Sequence, residues 1–206
     1  MSLPYGAIVL AGGKSTRFGR DKASELLLGR PLLQHVLSRL GDVVAEFVIV
    51  KARGQALPSF EAPGPVTVAE DLYPESGPLG GLYTGLSALR AEAALAVACD
   101  MPLLQPALVD QLFGLLPGHD VVVPVSEDYA QPLCAVYTKA CLGPIRRRLE
   151  AGQFKLMGFF EDVRVLEVPP ESWRRSDPEG LSFRNLNRLA DLAEVEALLR
   201  SEVSPP

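Results

Sequence analysis

Short apolar runs alternate along the chain with longer stretches in which leucines recur every three or four positions. Residues 7–10 (AIVL) form a continuous apolar run ending at glycines, which predicts a buried strand. Beyond a polar loop, Pro31 opens a helix with Leu32, Leu33, Val36, Leu37 and Leu40 on one face, and Gly41 stops it. Residues 47–50 (FVIV) and 66–69 (VTVA) read as the next two strands. A glycine- and proline-rich loop leads into a helix with Leu82, Leu86 and Leu89 on one side. Residues 95–99 (LAVAC) predict another buried strand running into Asp100, and Leu108, Leu112, Leu115 and Leu116 line the helix after it. Residues 121–125 (VVVPV) are strand-like. Pro124 has no N–H to give to a ladder and so places that run at an edge or a strand end. Residues 133–137 and 163–168 are further candidate strands, residues 169–180 read as irregular loop, and Leu192, Val195, Leu198 and Leu199 line a closing helix.

Strands alternating with amphipathic helices predict an α/β fold, three layers deep, around a mainly parallel sheet. No repeat or low-complexity block interrupts the pattern. One domain over residues 1–200 is expected, followed by a disordered tail over 201–206. Open parallel sheets bind ligands outside the carboxyl ends of their strands. Functional residues are therefore expected directly after residues 7–10, 47–50, 66–69 and 95–99.

Composition narrows the classes. Hydrophobic residues make up 48% and charged residues 22% of the 206 positions, an ordinary globular balance. A formal net charge of -5 argues against a nucleic-acid binder, which is usually basic. It leaves phosphate ligands open, because a few placed cations and backbone N–H groups suffice for those. The three cysteines, Cys99, Cys134 and Cys141, are odd in number and contain no C-x-x-C, which disfavours a disulfide framework or a structural zinc. With no basic leader and no apolar run of spanning length, a cytoplasmic protein without membrane association is expected.

The first predicted strand runs straight into residues 10–22, LAGGKSTRFGRDK. Gly12 and Gly13 relax backbone restrictions and allow close approach of main chain to a ligand, while Arg17 and Lys22 add positive charge. A glycine-rich turn flanked by cations suits a triphosphate. A mobile surface loop with incidental charge is the plainer alternative. The Walker A spacing is absent, since Ile8 stands where its first glycine belongs, and no G-x-G-x-x-G occurs. After the third run come Glu70 and Asp71, then GPLGG over 77–81. Asp71 suits ribose hydroxyls or base N–H groups, or else a simple turn. The GPLGG run opens a helix whose N–H groups point at an anion. Asp100 emerges from an apolar strand where one carboxylate plus substrate phosphates would suit Mg²⁺, or where it would cap the next helix. His35 and His119 have no evident partners, so a catalytic triad is unsupported. Cys99 reads as core, residues 146–148 (RRR) as a solvated helix face, and Lys155 and Arg184 as candidate ligands of a second phosphate. Asn185 and Asn187 alternate before the last helix, either as two amides pointing one way or as a cap.

Taken in order, LAGGKSTRFGRDK, Glu70-Asp71 followed by GPLGG, residues 99–102 (CDMP) and the asparagine pair resemble the molybdenum cofactor guanylyltransferases over almost the whole chain. The resemblance implies a Rossmann-like nucleotidyltransferase fold. It implies transfer of GMP from GTP to the terminal phosphate of molybdopterin, giving the guanine dinucleotide cofactor and pyrophosphate. It also implies that Leu10, Ala11, Gly12, Lys22 and Asp71 bind the nucleotide and that Asp100 holds Mg²⁺ beside it; the glycine-rich turn adds Gly13 to the nucleotide site, and charge neutralisation at the phosphates makes Lys22, Asp100 and Arg17 the candidates for catalysis. Asn185 and Asn187 would stand near the pterin, and cofactor-delivery and acceptor proteins would be partners. Two departures stand out. Relatives often carry an asparagine after the second strand, where this chain has Val50-Lys-Ala-Arg53. The closing N-x-N-T-P-E-D is here Asn185-Leu-Asn-Arg-Leu-Ala-Asp191. The chemistry needs no Ser-His or Cys-His nucleophile, because a phosphate monoester with a second pKa near 6 is already largely deprotonated at neutral pH. Rival readings are a sister enzyme using CTP or a sugar or polyol phosphate, and a non-catalytic nucleotide or cofactor carrier. The LAGG rather than LAAG form of the first loop favours the guanylyl branch.

Overall fold

Every run of four or more apolar residues in the pattern becomes a strand, and every leucine-spaced stretch a helix. The structure is a computed structural model that describes residues 5–12, 22–127, 129–186 and 189–203. Gly13, Arg17 and Asn187 lie outside the described residues. In chain order come β1 (Gly6–Leu10), the short pair β2 (Leu26–Leu27) and β3 (Arg30–Pro31), and α1 (Leu32–Leu40). Next are β4 (Glu46–Lys51), β5 (Val66–Glu70), α2 (Pro78–Ala88), β6 (Ala93–Ala98) and α3 (Pro106–Gly114). Then follow β7 (Val121–Ser126), β8 (Tyr129–Ala130), β9 (Cys134–Thr138) and α4 (Leu142–Glu150). The last are β10 (Val165–Val168), α5 (Pro170–Trp173) and α6 (Leu189–Val203). α6 thus runs into the segment expected to be a tail, and residues 204–206 lie outside the described residues.

The main sheet has the order β10-β7-β9-β6-β1-β4-β5, with β8 paired to β7. All neighbours on the β6-β1-β4-β5 side are parallel, as are β10 and β7, while β9 runs antiparallel to both β6 and β7. From β1 the chain moves outward to β4 and β5, then crosses back to β6 on the other side of β1. That reversal is where such sheets open a crevice for ligands.

β1 is buried on both faces, and its side chains divide strictly by parity. Ala7 and Val9 join a core built with α1 and α3, and Ile8 and Leu10 join one built with α2 and α4. The result is the expected three-layer arrangement. A third, smaller cluster of Leu27, Leu32, Leu103, Leu186, Val195 and Leu199 holds the β2–β3 hairpin and α6 together.

Two details differ from the pattern. Pro124 is not on an edge, since β7 lies between β9 and β10. β7 pairs with β9 at Val121 and Val122, so the missing N–H falls beyond that ladder. Residues 169–180 are not simply irregular, because they contain α5 and bury Trp173, whose indole N–H donates to Val125 O at 2.7 Å. β5 is the exposed edge strand, with Val68 turned to solvent.

Candidate active site

The carboxyl ends of β1, β4, β5 and β6 gather most of the residues that the strand-end rule singled out. β1 delivers Leu10, Ala11 and Gly12. The N–H groups of Ala11 and Gly12 both donate to Val50 O, at 2.8 and 3.2 Å, so the first turn stays laced to β4 rather than standing free. A Cβ on Gly12 would lie 2.9 Å from Ala52 N, so glycine is needed here for close approach to the neighbouring loop. Nothing in the sequence pattern marks Gln55, yet it ties the two loops together. Its Nε2 donates to Ala11 O at 3.0 Å, and its Oε1 accepts from Ala52 N–H at 2.8 Å.

After β4, Lys51 is spent on bracing rather than offered outward. Its Nζ donates to Gln55 O at 2.8 Å and to Glu70 Oε1 at 3.1 Å. Glu70 also accepts from Gly54 N–H at 3.2 Å, and this bond, followed by Lys51, holds its carboxyl below the usual carboxylate range. Asp71 follows β5 at the expected place. Its Oδ1 accepts from Tyr73 N–H at 3.0 Å and from the Thr84 hydroxyl at 3.3 Å, which ties the turn to α2. The GPLGG run forms the start of α2 itself, with Gly77 as its N-cap.

Lys22 and Asp100, 78 residues apart, meet at 2.6 Å between Nζ and Oδ2. Lys22 is carried by a short 3-10 turn whose next residue, Ala23, is buried in the core, and Asp100 directly follows β6. Asp100 is only 7% exposed, and its Oδ1 is buried with no hydrogen-bond partner. A buried carboxylate oxygen without a donor is costly unless a ligand completes it. Among the described residues no group of three or more His, Cys, Asp or Glu is placed to hold a metal. A single carboxylate with one open oxygen fits a hard divalent cation that takes most of its ligands from substrate phosphates and water.

Asn185 is exposed and adjoins this pair, because Leu186 N–H donates to Asp100 O at 2.9 Å. Arg184 pairs with Glu194 at 2.6 Å. Arg148 pairs with Glu161 and Asp162, and Lys155 is exposed. His35 proves to have a partner. Its Nε2–H donates to Leu27 O at 2.8 Å, which fastens α1 to the hairpin after Lys22. Burial lowers its pKa below the usual histidine value, against the opposing effect of the Leu27 bond. All three cysteines are buried, and among the described residues none forms a disulfide.

A Rossmann-like sheet whose switch point carries a cation beside a strand-end carboxylate suits phosphate chemistry, and the family match places the chain among the nucleotidyltransferases. Residues 7–165 match the model of the MobA-like NTP transferase domain, and the chain belongs to that family. The molybdenum cofactor guanylyltransferase of Desulfosudis oleivorans is 34% identical over 196 residues, covering 94% of this chain and 95% of that one. A probable molybdenum cofactor guanylyltransferase of Chloroflexus aggregans is 35% identical over 198 residues, covering 93% of each. The crystal structure of molybdopterin-guanine dinucleotide biosynthesis protein A from Archaeoglobus fulgidus matches with a TM-score of 0.78 at 25% identity, covering 96% of this chain and 99% of that one. Membership in a transferase family sets aside the reading of a non-catalytic carrier. Among the described residues no helix is long and apolar enough to cross a membrane.

Proposed function

We propose that the chain transfers GMP from GTP to the terminal phosphate of molybdopterin, releasing pyrophosphate, in the cytoplasm. The observation that carries this reading is the Lys22–Asp100 pair at the carboxyl edge, with one oxygen of Asp100 buried and open. The acceptor's phosphate oxygen is the nucleophile and needs no base from the protein. The obstacle is repulsion between that anion and the triphosphate, so catalysis consists of neutralising charge and aligning the attack on the α-phosphorus.

Asp100 would hold Mg²⁺ through its open oxygen. The ion supplies charge neutralisation on the phosphates when bound. Lys22 contributes a mobile cation that exchanges its bond with Asp100 for the incoming phosphates. Leu10, Ala11 and Gly12, with Gly13 beyond the described residues, form the floor against which the nucleotide lies. Asp71 takes the sugar or base side, Arg17 adds charge to the phosphates, and Asn185 with Asn187 faces the pterin. Delivery and acceptor proteins for the cofactor complete the set of partners, with neither nucleic acid nor membrane among them.

Purified protein with Mg²⁺ and molybdopterin is expected to release pyrophosphate with GTP and to form a pterin guanine dinucleotide. Release with CTP alone would move the substrate to the cytidylyl branch. No release with either nucleotide, in protein that still binds GTP, would overturn the choice of acceptor.

A further inference from the structure

An acid that no step above uses ties down the segment between β10 and α6. Asp177 is 1% exposed. Its Oδ1 accepts from Leu181 N–H at 2.9 Å and its Oδ2 from Ser182 N–H at 2.8 Å. A carboxylate so deeply buried is tolerated because these charge-assisted bonds satisfy it.

Capping of the short turn at 181–183 would require nothing more, yet the segment is fastened twice further on. Ser182 is fully buried, and its Oγ accepts from Gln105 N–H at 2.9 Å. Leu186 N–H donates to Asp100 O at 2.9 Å. Both pins land on the stretch that leads from Asp100 to α3, and the exposed Asn185 lies between them. Trp173 braces the same segment from behind, edge-on to Phe183 with ring centroids 4.9 Å apart.

We infer that Asp177 is a positioning residue for the acceptor side of the reaction: through Ser182 and Leu186 it sets where Asn185 stands relative to Asp100. The inference rests on the reading that Asn185 faces the phosphate acceptor. Asp177 touches no substrate. It acts by fixing a short stretch of main chain, and a misplacement of roughly 1 Å in such a support can cost on the order of 100-fold in rate.

The test uses Asp177→Asn, which turns an amide donor toward one of the two N–H groups, and Ser182→Ala, which cuts the Gln105 pin and spares the Asp177 bonds. With GTP and molybdopterin, kcat/KM for molybdopterin is expected to fall about 10-fold or more in Asp177→Asn, and by less in Ser182→Ala. GTP affinity, titrated directly, should stay within about twofold of the parent protein. Equal losses for GTP and molybdopterin, or folded variants with unchanged kcat/KM for molybdopterin, would overturn the inference. If Asp177→Asn does not fold, Ser182→Ala decides alone. If the parent protein does not use molybdopterin at all, the functional reading falls and amide exchange decides the positioning. Faster exchange at Leu186 in the variants supports it, and unchanged exchange there refutes it.

Discussion

Asp100 has two oxygens in unlike circumstances, one held by Lys22 at 2.6 Å and the other buried without a donor. Replacing the residue with alanine removes the only strand-end carboxylate of β6 and relieves an unsatisfied atom at the same time. Asp100→Ala is therefore expected to keep the fold, by circular dichroism and melting temperature, while turnover drops by roughly 10³-fold or more. Turnover near that of the parent protein would refute the metal assignment. Lys22→Ala should weaken GTP binding by about 10-fold, as loss of a charge-assisted phosphate contact does, and calorimetric titration would register it. His35 gives a prediction in pH. Its folded pKa is lowered, so the unfolded chain binds the proton more readily, and stability rises with pH through this window. The contribution is fully present above about 6.5 and is lost as pH falls through the lower folded value. His35→Gln keeps a donor for Leu27 O, so its melting temperature should decline less between neutral and mildly acid pH than that of the parent. Parallel curves would show that the imidazole does not titrate there.

At the scale of elements, α2 packs directly on β1 through its glycines. A Cβ on Gly85 would collide with Ile8, and one on Gly81 would sit 3.0 Å from Leu10. Gly85→Ala overpacks this seam and is expected to cost about 1–3 kcal/mol, read from denaturant unfolding. No loss would mean that the helix shifts freely on the sheet. The pattern made β1, β4 and β6 legible because strands buried on both faces read as continuous apolar runs, and the helices because a period of 3.6 survives where one face is buried. The two-residue strands β2 and β3 are too short to show any period, and their hairpin is held by packing against α6 and by His35. Pro124 misled for a related reason, since a missing N–H says only that one bond is absent and not on which side of the strand.

Across the molecule, the strand-end rule found Asp71, Asp100 and the first turn because the sheet's direction puts all of them on one edge. Residues that work through long-range bonds stayed hidden. Gln55 braces Ala11 from the next loop, and Asp177 reaches the site through Ser182 and Leu186. Gln55 carries no local signature because Ala11 lies 44 residues away, and Asp177, bonded only four and five residues along, gains its meaning from the Ser182–Gln105 bond that spans 77 residues. The glycine-rich turn after β1 was visible as composition, and the N–H groups of Ala11 and Gly12 at its start prove to be committed to Val50.

The place of β1 at the centre of the sheet has a kinetic consequence. Gly6 pairs with Glu46 on one side and Ala94 on the other, and Leu10 with Val50 and Ala98. A floor built from such distant pairings waits for slow loop closure, since non-local parallel strands form late. After dilution from denaturant, nucleotide binding should therefore return with the sheet as a whole and never ahead of it. A nascent chain that has exposed only its glycine-rich turn holds the signature of the site without any of its affinity.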